Sequence, residues 1–367
     1  MNGFQFGTSF RCLLLVILLG SVACTRSGQT QNQTQDSRTP ASENTRDDDC
    51  PSNDFPLETI PGVDPNDPRT YSKDQGHTNW CMLYSGTDLL CSTMKTHNSW
   101  PSGPLYDQGC STLELGLQSA DTASKSLKQL SLQGYAFPDM LEVARTKGVC
   151  PESVFPSKYI SDSNATLKDI KESLKRRVSD NVSVEGRVDL PGYCKECGVT
   201  PIDPSKFQKI SDVIDNVHNS DSEVSALRRV ADILCEGKRI KISRNIKFHT
   251  KGNTPYPPDT LNRKLRENKP VLVSVPASDL FTNRDGGHSM LVLQGDLAGH
   301  KCFYSMKNSW GQSCKPTSKP TNPPPIFCDK QTNLYLIESR EWGVDRIGMI
   351  FEVTKESVDC ARESTCI

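Results

Sequence analysis

Four polar residues occur in a fixed order but far apart in this sequence. Gln75 and Cys81 lie near the start of the chain, His288 lies far beyond them, and Asn308 follows within Lys307-Asn308-Ser309-Trp310-Gly311. Their side chains can act on one bond only if the early and late segments of the chain meet at one groove. The order therefore favours a fold of two packed halves, with the cysteine on the first half and the histidine and asparagine on the second.

Each residue of this set has a separate role in thiol chemistry. A thiol attacks a carbonyl only as the thiolate, and Cys81 begins a predicted helix whose positive dipole end would favour that anion. His288 would exchange the proton and pass it to the leaving amine. Asn308 would orient the imidazole, and Trp310 would shelter their bond from water. Gln75 would donate its side-chain amide to the developing oxyanion, with the backbone amide of the cysteine as second donor.

The composition is that of a loop-rich globular protein. The chain has 367 residues, a formal net charge of -1 and a pI of about 6.6, so it has no excess of basic residues for a nucleic-acid partner. Hydrophobic residues make up 35%, with 24 Gly and 24 Pro, which is less typical of a helical bundle. The length fits one large domain or two ordinary ones.

Residues 1–24 predict an export signal that is not part of the fold. The apolar run 12–20 is too short to span a bilayer as a helix. Ser21 and Ala23 suit ordinary signal peptidase, whereas Cys24 directly after them resembles the lipidated cysteine of a bacterial lipobox. We favour lipidation, which predicts a membrane anchor in the cell envelope, at the outer membrane or in the periplasm. A plainly secreted protein is the alternative.

Residues 25–52 predict a flexible tether. They are rich in Ser, Thr, Gln, Asn and Asp and contain almost no large apolar residue, so they cannot bury enough surface to become ordered. A spacer of this kind directly after Cys24 favours the lipidated form over the secreted one.

The cysteine content supports export to an oxidising compartment. Of the 15 cysteines, Cys12 leaves with the signal, Cys24 would carry the lipid and Cys81 is the proposed nucleophile. The remaining twelve permit six disulfides, whose pairing the sequence leaves open. Cys314 and Cys328 bracket a proline-rich loop and could staple it.

Cys194 and Cys197 have the spacing of a zinc or redox pair. No histidine or second cysteine pair at ligand spacing follows them, and in an exported chain the disulfide interpretation is favoured. We therefore expect neither a metal nor a cofactor.

The period of the apolar residues changes along the chain from helical to strand-like. Residues 53–156 predict a helical lobe with the nucleophile, 157–258 a helical insertion or side subdomain, and 259–367 a mostly antiparallel sheet or barrel with the histidine and asparagine. The predicted fold class is α+β. The predicted helices lie near 81–90, 137–145, 167–174, 207–214, 224–234 and 261–265, and the predicted strands near 270–275, 290–293, 303–306, 334–337 and 347–351.

At these residues the chain resembles the papain-like cysteine peptidases, over roughly residues 60–156 and 259–352. The family implies a helical L domain and a sheet-containing R domain with the cleft between them. It also implies that Gly134 binds the substrate backbone, while Tyr135 and Ser289 approach the pocket for the substrate side chain. The resemblance rests on Gln75-Gly76, Cys81, Gly134-Tyr135 and the following helix to Val154-Phe155-Pro156, the strand at 270–275, His288 and the string 307–311.

Three positions depart from the pattern of that family, and they bear on specificity. Met82 follows the nucleophile where an aromatic residue is usual, and Thr78 stands where many members carry a disulfide cysteine. Gly287 replaces the acidic residue that often precedes the histidine. No long prodomain fits between Cys24 and Gln75, so we expect synthesis without an inhibitory propeptide.

Three functions are compatible with the sequence. The first is an exported papain-like cysteine endopeptidase that hydrolyses protein or peptide substrates through a thioester acyl-enzyme. The second uses the same residues as an amidase or acyltransferase on cell-wall or other non-protein amides. The third is a catalytically inactive surface binding module, with 157–258 as its contact surface. The sequence leaves the oligomeric state and the preferred substrate side chain open.

Overall fold

A computed structural model describes most of the chain between Cys50 and Lys355. Cys24, Cys194, Cys197, Trp310 and Cys314 lie outside the described residues, as do the predicted signal and nearly all of the tether. Within this part of the chain, no helix is both long and apolar enough to cross a bilayer. The described residues are 50–51, 73, 75–76, 78–97, 99–103, 105–120, 126–160, 165–178, 199–217, 222–244, 246–252, 258–267, 269–276, 287–298, 301–309, 326–329, 334–338 and 349–355.

Helices occupy most of the first two thirds of the described chain. Helix α1 is central, since nearly all of its side chains are buried. Helix α2 is likewise buried on nearly every side, whereas the other helices bury one stripe each, as an amphipathic helix at the edge of a core does. The helices are α1 (Cys81–Thr96), α2 (Thr112–Ser119), α3 (Leu127–Leu132), α4 (Phe137–Thr146), a 3-10 turn (Ser157–Ile160), α5 (Leu167–Arg176), α6 (Pro204–Asp215), α7 (Glu223–Cys235) and α8 (Pro258–Arg266).

The described strands form one antiparallel sheet in the order β1-β7-β2-β3-β4-β6-β5. The long strands β3 and β4 pair along most of their length, with a register shift between Val292 and Gln294. This arrangement of helices followed by an antiparallel sheet confirms the predicted α+β class. The strands are β1 (Ile246–Gly252), β2 (Val271–Pro276), β3 (Gly287–Ala298), β4 (Lys301–Lys307), β5 (Ile326–Cys328), β6 (Tyr335–Glu338) and β7 (Met349–Lys355).

Alternate residues of β3 face two different cores. Met290 and Val292 belong to a core that also contains Leu261 and Leu265 of α8. Leu291, one position along, belongs to the larger core built by the helices. Because successive side chains of a strand point to opposite faces, β3 is packed on both sides. It therefore joins the helical part of the structure, α1–α7, to the sheet part, which comprises the strands and α8.

Local sequence signals account for several helix boundaries. Helix α4 has proline in its first turn, and Gly148 follows its end with a φ of 86°, which a residue without Cβ adopts at little cost. Thr166 begins α5 with a capping box, in which its side chain and that of Asp169 each accept a backbone N–H of the other. These signals confirm the predicted helices at both places.

The predicted insertion, 157–258, contacts both parts of the structure. Helix α7 buries Val224, Leu227 and Val230 in the large helical core. Strand β1, at the end of the same stretch, pairs with β7 along its whole length at the edge of the sheet. The boundaries of the insertion stay a prediction, but its described elements are integrated into the core and the sheet.

Three disulfides join described cysteines. Cys91–Cys110 ties α1 to the segment before α2, and Cys150–Cys235 ties the segment after α4 to the end of α7. Cys50–Cys302 ties the start of the described chain to β4. Six of the twelve cysteines that the sequence analysis allotted to disulfides are thus paired with one another, which supports folding in an oxidising compartment.

Candidate active site

The first turn of α1 is suited to hold an anion at Cys81. This residue is the first of the helix, and the side chain of the preceding Trp80 does not cap the backbone N–H groups there. The first turn also contains no acidic residue. Backbone N–H groups and the positive end of the helix dipole therefore face the start of the helix without competition from a neighbouring carboxylate.

The structure brings His288 and Asn308 together. His288 Nε2 lies 2.9 Å from Asn308 Oδ1, and both residues are buried. The backbone N–H of Ser309 donates to the same oxygen at 2.7 Å. A backbone N–H can only donate, so the amide atom that faces the histidine is the oxygen, and Nε2 must carry the proton. In this geometry the asparagine oxygen accepts the ring N–H of the imidazole.

Two backbone and side-chain contacts join Gln75 to the segment that carries Asn308. The backbone N–H of Gln75 donates to the Ser309 carbonyl at 2.8 Å, and Ser309 Oγ donates to Gln75 Oε1. Gln75 Nε2 donates to the Thr78 carbonyl at 2.8 Å, and Thr78 Oγ1 donates back to the Gln75 carbonyl. The side-chain amide has two N–H groups, and this turn uses one of them.

The loop before the nucleophile is fastened to α3 by hydrogen bonds. Asn79 donates its backbone N–H to the Ser131 carbonyl at 2.9 Å and its side-chain amide to the Leu132 carbonyl at 3.0 Å. Trp80 Nε1 donates to the Leu130 carbonyl at 2.9 Å. Thr78 stands where the resembled family often has a disulfide cysteine, and these three bonds anchor the same loop without one.

Cys81 is itself part of a disulfide, which is not one of the three described above. The sequence analysis left Cys81 outside the disulfide set, so this differs from the expectation. A sulfur in a disulfide cannot act as a nucleophilic thiolate. The catalytic assignment of Cys81 therefore concerns the form of the protein in which this bond is reduced.

The residues predicted to contact substrate lie at different depths. Gly134 is partly exposed after α3, whereas Tyr135 is buried with its ring edge-on to Trp80 at 6.0 Å between centroids. Burial raises the pKa of the Tyr135 phenol far above its usual range, and the charge of Arg228 opposes this. Ser289 is fully buried. Trp310 lies outside the described residues.

Polar contacts that the sequence analysis missed join α1 to the sheet part. Ser85 Oγ donates to the Ser289 carbonyl at 2.9 Å. Lys307 Nζ donates to Asp88 Oδ2 at 2.7 Å. Burial lowers the pKa of the Lys307 ammonium, an effect that the Asp88 carboxylate opposes. The one signal in the sequence is that Asp88 is the only charged residue of α1 before Lys95, and that Ser85 and Asp88 stand four and seven positions after its first residue.

Candidate metal ligands do not cluster in the described part of the chain. No group of three or more His, Cys, Asp or Glu side chains there could hold a metal ion.

No family model matches this chain, and no curated protein matches it in sequence. Among solved structures, procathepsin L2 from the larval midgut of Tenebrio molitor is similar, with 14% identity over 83% of this chain and 68% of that chain and a TM-score of 0.42. Xylellain, a cysteine protease from Xylella fastidiosa, has 14% identity over 90% and 100% of the two chains and a TM-score of 0.41. A structure from work on the mite allergens Blo t 1 and Der p 1 has 10% identity over 78% and 67%, with a TM-score of 0.41.

Proposed function

We propose that this chain is an exported papain-like cysteine endopeptidase. The observation that carries the proposal is the buried bond between His288 Nε2 and Asn308 Oδ1, with the oxygen identified by the N–H of Ser309. This bond leaves Nδ1 as the ring nitrogen that would exchange a proton with the nucleophile. Ser289 follows the histidine, and its carbonyl accepts a hydrogen bond from Ser85, which lies one turn after Cys81. This contact supports an approach of the Cys81 sulfur to the Nδ1 side of the imidazole.

The proposed reaction has two stages. In the first, the Cys81 thiolate attacks the peptide carbonyl carbon, a C–S bond forms, and the carbonyl electrons move to oxygen. The His288 imidazolium then gives its Nδ1 proton to the leaving amine as the C–N bond breaks, which leaves a thioester. In the second stage, His288 takes a proton from water while the hydroxyl attacks the thioester. The carboxylic acid leaves, and the thiolate and imidazolium are restored.

Gln75 is the proposed side-chain donor to the oxyanion. Its backbone N–H donates a hydrogen bond to the Ser309 carbonyl, and its backbone carbonyl accepts one from the Thr78 hydroxyl. The position of Gln75 is therefore set before substrate binds. The backbone N–H of Cys81 is the second proposed donor. A fixed donor of this kind stabilises the transition state by about 3–4 kcal/mol, because it does not reorient during the reaction.

The substrate contacts follow the resemblance to the peptidase family. Gly134 would bind the substrate backbone, since it is partly exposed and lies between α3 and α4 in a segment that is neither helix nor strand. Tyr135 and Ser289 would lie behind the pocket for the substrate side chain, and Trp310 would shelter the bond between histidine and asparagine. The described disulfides support export, and Cys24 is the proposed lipid anchor of an envelope protein.

One observation favours a second candidate, the inactive binding module. Cys81 takes part in a disulfide, and a chain that kept this bond under physiological conditions would have no nucleophile. An amidase or acyltransferase would use the same residues as the peptidase and differs from it only in substrate.

The three functions are separated by one experiment on the exported form after mild reduction. A peptide library and muropeptides are incubated with wild type, Cys81→Ala, His288→Ala and His97→Ala, and the products are identified by mass spectrometry. His97 is the matched control because it lies at the opposite end of α1. We expect wild type and His97→Ala to cleave peptides and the other two variants to be inactive. Cleavage that survives Cys81→Ala would falsify the proposal, and hydrolysis of muropeptides alone would establish the amidase.

A further inference from the structure

The polar contacts between α1 and the sheet part fall beside proposed catalytic residues. Residues at i, i+4 and i+7 share one face of a helix, so Cys81, Ser85 and Asp88 face the same direction. The Ser85 hydroxyl donates a hydrogen bond to the carbonyl of Ser289, the residue after His288. The Asp88 carboxylate accepts a hydrogen bond from Lys307, the residue before Asn308. One face of α1 therefore presents the nucleophile and also holds the two segments that carry its partners.

Asp88 also reaches the segment of the proposed oxyanion donor. Lys73 Nζ lies 3.4 Å from Asp88 Oδ1, and Lys73 is two residues before Gln75. The same ammonium donates to the Cys110 carbonyl at 2.6 Å and to Thr112 Oγ1 at 3.2 Å. One carboxylate thus contacts a cation on either side, from two segments of the proposed active site.

The cluster of Lys73, Asp88 and Lys307 is buried, so its stability depends on how well the charges are paired. The side chains of Lys73, Asp88 and Lys307 are only 9%, 6% and 7% exposed. Charges withdrawn from water are tolerated where their partners hold them in good geometry, and removing one partner leaves the other as a buried charge without compensation. The segments that carry the lysines therefore have little freedom to slide along α1.

We propose that Asp88 is a positioning residue that sets the register of α1 against the segments of Gln75 and Asn308. Through its two lysines it fixes the nucleophile helix relative to the oxyanion donor and to the asparagine that orients His288. It contacts neither substrate nor reacting atoms. The inference rests on the proposed peptidase function and adds to it a residue outside the catalytic set.

The test compares Asp88→Asn with a matched buried carboxylate. Glu114 is fully buried, is paired with Arg239 at 2.9 Å and accepts the backbone N–H of Cys150, and neither partner lies on a proposed catalytic segment. Wild type, Asp88→Asn and Glu114→Gln are titrated with an electrophilic epoxide after mild reduction, so that rates refer to reactive sites only. The measurements are kcat and KM on a peptide and the rate of Cys81 alkylation by iodoacetamide as a function of pH.

We expect Asp88→Asn to lower kcat per titrated site by about 10²-fold with little change in KM, because small displacements of reacting groups have effects of that size. A thiolate beside an imidazolium reacts with iodoacetamide even at acid pH, which gives the pH profile of the alkylation rate an acid limb. The profile of Asp88→Asn should lack this acid limb. Glu114→Gln should keep both properties even if it is less stable. If Asp88→Asn does not fold, the triple variant Asp88→Leu/Lys73→Met/Lys307→Met removes all three charges and should fold but react slowly.

Two outcomes separate this inference from the proposed function. A wild-type chain whose Cys81 reacts like a model thiol overturns the peptidase proposal, and the inference with it. A reactive wild type together with a folded Asp88 variant, single or triple, that keeps its kcat and its acid limb overturns the inference alone.

Discussion

His288 Nε2 and Asn308 Oδ1 lie 2.9 Å apart, and the oxygen is held by the backbone N–H of the next residue. The asparagine is therefore fixed by its own chain before it binds the imidazole. Hydrogen bonds to an ionised group are worth about 1.5–3 kcal/mol, more than those between neutral groups. The bond should therefore stabilise the imidazolium that the proposed mechanism requires.

Replacing Asn308 with alanine should lower kcat/KM by about 10- to 100-fold, which is the kinetic equivalent of such a bond. Because the bond favours the charged imidazole, the alkaline limb of the pH–rate profile should move to lower pH. Steady-state kinetics between acid and alkaline pH provide both quantities. An unchanged profile with unchanged kcat/KM would show that the histidine does not act as an imidazolium held by this asparagine.

Gln75→Ala should lower kcat by about 10²- to 10³-fold, because the oxyanion would lose its side-chain donor. Ser309→Ala is the matched variant, since it removes the hydroxyl that donates to Gln75 Oε1 but keeps the amide and the backbone bond. We expect the serine variant to lose far less activity than the glutamine variant. Equal losses in single-turnover measurements would indicate that Gln75 acts only as a structural residue of the loop.

The fold class could be predicted, and catalytic residues could be proposed, because both rest on local signals. Cys81 begins a helix with clear periodicity, and Asn308 stands in a characteristic string. The pair Asp88 and Lys307 could not be predicted, since the two residues are 219 positions apart and meet only through folding. A buried ion pair leaves no periodic pattern in either segment.

The sequence analysis missed the helices α2 and α3 and the strands β1 and β5, and it missed α2 and β1 for opposite reasons. Leu113, Leu115 and Leu117 alternate as in a strand, yet they lie in helix α2, where all three are fully buried. A helix surrounded on all sides by the core needs no polar face, so its helical period is hidden. Strand β1 lies in the stretch predicted as an insertion, and its pairing with β7 joins residues too far apart for local reasoning.

Peptidase activity should depend on a mild reductant, because Cys81 is engaged in a disulfide and only its thiolate is nucleophilic. Without reductant we expect background activity and no alkylation of Cys81 by iodoacetamide. With reductant, activity and alkylation should rise together. The sulfurs of Cys91–Cys110 and Cys150–Cys235 are internal controls, since all four residues are fully buried and should stay unlabelled in peptide maps. Full activity in the non-reduced protein would contradict this prediction.

Asp203 should stabilise the folded chain at neutral but not at acid pH. It caps α6 by accepting the backbone N–H of Ser205 at 2.8 Å, and its bonds to Ser205 and Lys206 hold the pKa of the carboxyl below its ordinary value of 3.8. A lowered folded pKa gives stability that is present above the unfolded value and is lost as the pH falls through the folded value. Asp203→Ala should therefore lower Tm at pH 7 by roughly 2–4 °C, and the difference should vanish at acid pH.

Glu172→Ala, at an exposed position inside α5, is the control and should change Tm little at either pH. Calorimetry that shows the same Tm difference at both pH values would contradict a charged cap, and kcat should be unaffected throughout because neither residue belongs to the proposed catalytic or substrate-binding residues.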